Sequence, residues 1–270
     1  MSIGSRPFHY TRAIVRHIPD TLADNALRMN EPASPIDLER ARQQHANYVC
    51  QLRQLVPDVL VLPGDDSQPD CVFVEDPVVV CGNVALVCRM APESRRSEAA
   101  VLKAAVESLG LLTVEMTEPA LMDGGDVLFT GREFFVGLSS RTNQDGVEFL
   151  ASVFSQYKAT SIRVLDSLHL KSLATMAGDD VIAIADNPAG RQTWKDISHL
   201  AAFQYTPLWI PDFGAANVVY INGCILHRSS REFPASAQVF KSLNCPTREV
   251  ENSELSKVDG ALTCCSVLIN

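Results

Sequence analysis

The sequence predicts an α/β propeller-like array of five units, on three observations. Five segments share one plan, a polar head followed by a short apolar run. Their markers Asp76, Asp123, His169, Asn217 and Cys264 are spaced by 47, 46, 48 and 47 residues, a period typical of propeller and solenoid arrays. Between the heads lie segments with apolar residues at helical spacing, so each unit is strand-rich with one helix. Five such units around an axis would carry five heads to one central cavity. The ordinary alternative is that five turns simply precede five strands. Against it, the heads carry Asp, Glu, His and Cys rather than the Gly/Asn/Ser mix of common turns.

In chain order, Ser34-Pro35 predicts a helix start, with Pro at the first helical position. Leu38, Ala41, His45, Tyr48, Leu52 and Leu55 follow at helical spacing. The head Pro69 to Asp76 leads into a strand at Val78–Val80. A second helix is expected from Ser94 to Leu109, stopping at Gly110, a residue type that ends helices in the left-handed conformation. Asp123-Gly-Gly-Asp126 opens the next unit, with a strand at Phe134–Val136 and a helix at Val147–Tyr157. After Ser167-Leu-His169 come a strand at Val181–Ile184 and a weakly patterned helix at Trp194–Phe203. Phe213 to Asn217 heads the strand Val218–Ile221, and Pro234–Leu243 is helical. The last head, Asp259-Gly-Ala-Leu-Thr-Cys264, runs into an apolar strand. Alternation along that strand predicts that Cys265 points away from Cys264.

The chain has 270 residues and no Pro/Gly/Ser-rich linker, so residues 1–270 are expected to form one domain. A chain of this size buries about three quarters of its unfolded surface and needs no covalent staples. The N-terminus lacks a charged-then-apolar leader pattern. No apolar run approaches the ~20 residues needed to span a bilayer, so no membrane partner is expected. Eight cysteines without a secreted-scaffold spacing, and no Asn-x-Ser/Thr site, point to reduced thiols and a cytoplasmic location. A formal net charge of −9 argues against a nucleic-acid partner and is compatible with a cationic substrate.

The chemistry is concentrated in the heads. Cys264 is the nucleophile candidate, because a thiolate is intrinsically nucleophilic and a neighbouring cation lowers its pKa. Most cysteines are simply buried packing, and Cys50, Cys71, Cys81, Cys88, Cys224 and Cys245 are read that way. His169 is the acid/base candidate, since imidazole titrates near neutrality. Asp123, one head earlier, is the candidate to orient it; its ordinary reading is a turn residue. Glu75 and Asp76 are adjacent carboxylates in an apolar run, suited to hold a planar cation such as a guanidinium, or else merely exposed. Arg95 and Arg141 are candidate anion binders. No Cys-x-x-Cys or His-x-x-x-His spacing appears, so no structural metal is expected. The thiol–imidazole–carboxylate set could nevertheless take zinc as an inhibitor, at Cys264 and His169.

With these residues assembled, the chain resembles the dimethylarginine dimethylaminohydrolases (the type 1 form in particular), of the guanidine-modifying pentein superfamily. The resemblance runs through Pro69-Asp-Cys-Val-Phe-Val-Glu-Asp76, Asp123 to Ser139, Arg141-Thr-Asn-Gln144, Leu168-His-Leu-Lys171 and Ser256 to Ile269. It implies a five-bladed α/β propeller of ββαβ-type repeats around a central active site. It also implies hydrolysis of asymmetric dimethylarginine or monomethylarginine to citrulline plus dimethylamine or methylamine. The step would pass through a thiouronium on Cys264, with Glu75 and Asp76 on the guanidinium and His169, oriented by Asp123, moving protons. No cofactor is implied. The amino-acid end of the substrate maps onto Leu27, Asp70, Arg95, Arg141, Val258 and Asp259, with Ala23 to Met29 as a lid. Further expectations are a monomer or weak homodimer, relief of the inhibition of nitric oxide synthesis, and a Cys264 in an open cavity sensitive to nitrosation and oxidation. Ser140 before Arg141, and Pro92-Glu93-Ser94 before Arg95, depart from the family pattern. The alternatives are a superfamily relative that acts on plain arginine, and a non-catalytic scaffold.

Overall fold

The structure, a computed structural model, describes residues 7–270. It opens with β1 (Arg12–Arg16), a short helix α1 (Leu22–Asn25), α2 (Leu38–Arg53) and β2 (Asp58–Leu62). The second unit is β3 (Val78–Cys81), β4 (Val84–Val87), α3 (Glu98–Ser108) and β5 (Leu112–Glu115). The third is β6 (Val127–Phe129), β7 (Glu133–Leu138), α4 (Gln144–Val153) and β8 (Lys158–Arg163). The fourth is β9 (Ala174–Gly178), β10 (Val181–Ala185), α5 (Pro188–Leu200) and β11 (Thr206–Ile210). Then come β12 (Val219–Ile221), β13 (Cys224–Arg228), α6 (Pro234–Lys241), β14 (Thr247–Val250) and finally β15 (Val267–Ile269).

These strands form five three-stranded sheets with one common plan. In each, the first strand is antiparallel to the second and the second is parallel to the third. A helix makes the crossover between the parallel pair, as parallel strands require. The first strands of neighbouring sheets lie side by side, β15 with β3, β6 with β9 and β9 with β12. This is the five-unit array that the 46–48-residue period predicts, built from the ββαβ unit that the resemblance implies.

The fifth sheet is the exception in connectivity. Its first strand is β15, paired antiparallel to β1 with Arg12 opposite Ile269 and Ile14 opposite Val267. Its third strand is β2, parallel to β1. Opposite ends of the described chain thus share one sheet. The sequence reading missed β1, because no polar head introduces it.

Local chemistry shifts several helix starts. Asp37 accepts the Arg40 N–H at 3.0 Å, so α2 begins at Leu38 rather than at Pro35. The Ser94 region is a 3-10 turn, Glu93–Arg95, ahead of α3. α5 starts at Pro188, six residues before the predicted Trp194, because Asn187 caps the Gly190 N–H at 2.8 Å and Pro occupies the first turn. The β12–β13 hairpin turns on Asn222-Gly223, with φ of 51° and 79°, the two-residue turn that matches strand twist. Asn222 also donates to the carbonyls of Tyr10 at 2.9 Å and Leu55 at 2.7 Å, tying this sheet to the one containing β1. No helix among the described residues is long and apolar enough to cross a membrane.

Ile269 is fully buried in β15, in one apolar cluster with Ile14 and Leu102. Ile269→Ala is expected to cost about 2–5 kcal/mol. Urea denaturation read by circular dichroism measures it, and a loss below half a unit would show that the β1–β15 closure is not under load.

Candidate active site

Asp76, His169 and Cys264 line one small cavity together with Asp70, Arg95 and Arg141. Its volume is about 20 Å³, room for a single water. Asp123 lies directly behind, wholly buried, with Oδ2 at 3.1 Å from Nε2 of His169. The predicted convergence is therefore present for four of the five heads, and Asn217 does not line the cavity. Three sit on 3-10 turns: Asp123 precedes Gly124–Asp126, His169 precedes Leu170–Ser172, and Cys264 is inside Thr263–Cys265. That last turn corrects the strand argument for Cys265. The strand begins only at Val267, and Cys265 is turned into the core because its thiol donates to the Ala261 carbonyl at 3.5 Å.

The two glycines of Asp123-Gly-Gly-Asp126 are contact residues rather than turn filler. A Cβ on Gly124 would sit 2.0 Å from the Glu75 carbonyl oxygen, and one on Gly125 would sit 2.5 Å from Nδ1 of His169. Gly125 N–H also donates to Oδ1 of Asp76 at 3.1 Å. Asp126, which the sequence reading passed over, holds this corner. Its carboxylate accepts Ser139 Oγ at 2.6 Å, Thr142 Oγ1 at 2.7 Å and the Leu170 N–H at 2.9 Å. Thr142 Oγ1 in turn accepts the Asp123 N–H at 3.2 Å. One buried carboxylate thus fixes the backbones on both sides of the His169–Asp123 pair.

Electrostatics assigns protonation states. Burial works to lower the His169 pKa, but the carboxylates of Asp76, Asp126 and Asp123 outweigh it and raise it to about 9. His169 is an imidazolium at neutral pH, the form of a general acid. Burial works to raise the carboxyl of Asp76, but Arg95 and His169 hold it below the usual range. Burial, with Glu75 and Asp76 adding, pushes the Cys264 thiol well up. Cys264 is here a neutral, 8% exposed thiol. The expected open cavity with a ready thiolate is absent, so nitrosation or oxidation of Cys264 requires the site to open.

Two expected substrate contacts are placed differently. The Glu75 side chain lies outside the catalytic cavity. It pairs with Lys171 and accepts Thr263 Oγ1 at 2.8 Å, and these three line a separate, larger hub cavity of about 220 Å³. Glu75 is thus a partition between the two cavities, held there because burial without Lys171 would be costly. Arg95 is buried, with Nη1 at 2.7 Å from Asp76 and both Nε and Nη2 on Glu98, at 3.1 and 2.9 Å. Its guanidinium is committed to two carboxylates, not left open for a substrate carboxylate. Glu98 was missed, although its position three residues after Arg95 was a readable cue. Arg141, with Nη1 at 3.7 Å from Asp123, keeps 17% side-chain exposure and faces the cavity.

The lid residues also lie where expected, but closed. Leu27 N–H donates to Asp70 Oδ1 at 3.0 Å, and Met29 N–H donates to Asp259 Oδ2 at 2.6 Å. Asp259 sits at φ 59° after the 3-10 turn Leu255–Val258, and Val258 lines the cavity. Asp70, expected near a substrate ammonium, and Asp259, expected to contact the substrate, are therefore occupied by the backbone N–H groups of Leu27 and Met29. The one cluster with metal-ligand spacing among the described residues is Asp76, Asp123 and His169, with ligand atoms within 4.8 Å of each other. Arg95 and the imidazolium already balance it, and Cys264, expected to share zinc with His169, is not in the set.

Two measurements follow. The His169 imidazole should titrate by nuclear magnetic resonance near pH 9, so it holds its proton below that pH and loses it above. A midpoint at or below 6.5 would contradict the placement of the three carboxylates. Gly125→Ala drives a methyl into Nδ1 of His169, so turnover of any substrate that needs this acid should fall about 100-fold with the melting temperature nearly kept.

The chain is similar to several known proteins in sequence and fold. The family model described as N,N dimethylarginine dimethylhydrolase, eukaryotic, matches residues 16–187. DDAH2 of Bos taurus is 33% identical over 264 residues, covering 94% of this chain and 92% of that protein. An N(G),N(G)-dimethylarginine dimethylaminohydrolase of Streptomyces coelicolor is 34% identical over 258 residues, covering 95% and 96%. Among solved structures, a cysteine-to-serine variant of the Pseudomonas aeruginosa enzyme complexed with citrulline superposes with TM-score 0.85 at 25% identity, covering 97% of this chain and 100% of that one. A matched family model over most of the chain and full-length relatives above 30% identity place this chain in the N,N-dimethylarginine dimethylhydrolase family.

Proposed function

We infer that the protein hydrolyses asymmetric dimethylarginine and monomethylarginine to citrulline and the corresponding methylamine. The observation that carries this is the meeting of a thiol, an imidazolium and an ionised carboxylate in one cavity, Cys264, His169 and Asp76. Such a site suits a planar cation that is attacked at carbon and loses an amine. The names of the relatives support the substrate class, and citrulline in the superposed Pseudomonas enzyme supports the product.

The substrate guanidinium would pair with Asp76, sharing or displacing Arg95. Its positive charge would lower the Cys264 pKa, since an opposite charge nearby favours the thiolate. The released proton leaves to solvent. Cys264 Sγ then attacks the guanidinium carbon, and His169 donates its proton to the departing dimethylamine or methylamine nitrogen as the C–N bond breaks. A thiouronium remains on Cys264. The now neutral His169 takes a proton from water, the hydroxide adds to the same carbon, and the C–S bond breaks as the added hydroxyl's proton passes to the leaving sulfur, giving citrulline and the Cys264 thiol. Two steps replace one direct attack of water on a resonance-stabilised cation.

Arg141 would receive the substrate carboxylate. Asp70 and the Val258 carbonyl would receive the ammonium once the Leu27 lid opens. The reading takes residues 1–270 as one catalytic domain, acting in the cytoplasm. All eight cysteines being unpaired thiols supports that compartment.

Cys264→Ser should lower citrulline release from dimethylarginine by more than about a thousandfold. Mass spectrometry of wild-type protein quenched during turnover should show a substrate-derived adduct on Cys264. Faster turnover of plain arginine than of methylated arginine would sink the substrate assignment, and an adduct elsewhere would sink the mechanism.

A further inference from the structure

We propose that Asn217, the one repeat head without a reactive group, is a positioning residue that holds Cys264 and the His169 segment in register. This rests on the reading of Cys264 as the nucleophile of guanidine hydrolysis. Asn217 is buried at the entry to β12. Its Nδ2 donates to the Lys171 carbonyl at 2.9 Å and to Thr263 Oγ1 at 3.0 Å, while its Oδ1 accepts the Thr263 N–H at 3.0 Å. Thr263 immediately precedes Cys264, and Lys171 follows His169 by two residues. A single amide therefore clamps the chain beside both reacting side chains.

The clamp closes into a ring. Thr263 Oγ1 donates onward to Glu75 Oε2 at 2.8 Å, and the other Glu75 oxygen takes the Lys171 ammonium. The Glu75 N–H donates to the Cys264 carbonyl at 3.2 Å. Four of the five heads are joined in this way, across segments that are far apart in sequence.

The partners demand an amide at this head. Thr263 offers an N–H donor. Its hydroxyl proton is committed to Glu75, so Oγ1 offers only an acceptor, and Lys171 offers a carbonyl. One acceptor and two donors on one short side chain is the Asn inventory. An Asp here would aim a carboxylate at two acceptors and add a second anion beside Glu75, which is costly when buried. Because Cys264 sits on a single 3-10 turn, its Sγ position follows the backbone at Thr263. A misplacement of about 1 Å can cost on the order of 100-fold in rate.

The test compares Asn217→Ala, Thr263→Val, the double variant and Thr263→Ser. In Asn217→Ala, kcat on asymmetric dimethylarginine should fall about 100-fold while KM stays within about threefold. Thr263→Val should lose a similar factor, and the double variant no more than the worse single, because the two side chains act as one unit. Thr263→Ser keeps the hydroxyl and should retain kcat within about threefold. A second readout is independent of turnover. Iodoacetamide labelling of Cys264, referred to buried Cys71 as the reporter of unfolding, should rise at least about fivefold in Asn217→Ala as the turn loosens. A folded Asn217→Ala with wild-type kcat or wild-type Cys264 labelling overturns the proposal. Should that variant not fold, equal kcat in Thr263→Val and Thr263→Ser overturns it. If wild-type protein releases no citrulline while Cys264 labelling still rises in Asn217→Ala, the positioning role stands and the proposed activity is what falls.

Discussion

The antiparallel pairing of β1 with β15 is the constraint on which the rest depends. The turn Thr263–Cys265 runs directly into β15, so the placement of that strand determines where Cys264 can be. Without β1, the strand has no antiparallel partner and the fifth unit is incomplete. With it, the fifth head takes its place beside the others. Closure of the array and assembly of the site are therefore one event. Cys264 belongs to the last of the five heads along the chain.

The hub is also a problem in charge. Six carboxylates, of Asp70, Glu75, Asp76, Glu98, Asp123 and Asp126, stand against four cationic groups, of Arg95, Arg141, Lys171 and His169. Burial raises the pKa of Asp70, Glu75 and Asp126 and pushes Glu98 up to about 7, because desolvation disfavours these carboxylates more than the nearby cations and hydrogen bonds favour them. Oδ1 of Asp123 has no hydrogen-bond partner. A cationic ligand relieves this imbalance, whereas a neutral one does not. The neighbouring carboxylates keep His169 protonated, whereas Cys264 is kept neutral first by burial and then by Glu75 and Asp76.

The closed state uses the protein's own groups as stand-ins for substrate. Arg95 places a guanidinium on Asp76, and lid N–H groups occupy Asp70 and Asp259. These contacts satisfy buried acids that would otherwise be costly to leave alone. They also mean that binding exchanges one set of hydrogen bonds for another, so recognition rests on the difference between the two sets rather than on either alone.

The sequence by itself determined the repeat, a strand-rich unit with one helix, and the chemical type of the head residues. Period, apolar spacing and the chemical type of Asp76, Asp123, His169 and Cys264 are local properties, written in short stretches of chain. The Asn222-Gly223 hairpin was equally local, since both residues tolerate positive φ. Tertiary structure alone decided which groups face each other. Glu75 and Asp76 are neighbours in sequence, yet Glu75 pairs with Lys171 in the larger cavity and Asp76 lines the smaller one with Cys264. Arg95 looked like an anion binder and proved to be bound, because Glu98 and Asp76 reach it only after α3 packs against β3 and β4. Asn217 was only the marker of the fourth head, without a role, until its amide met Thr263 and Lys171, each 46 residues away. A side chain's type sets what it can bond. Its partners come from segments that meet only once the array is closed.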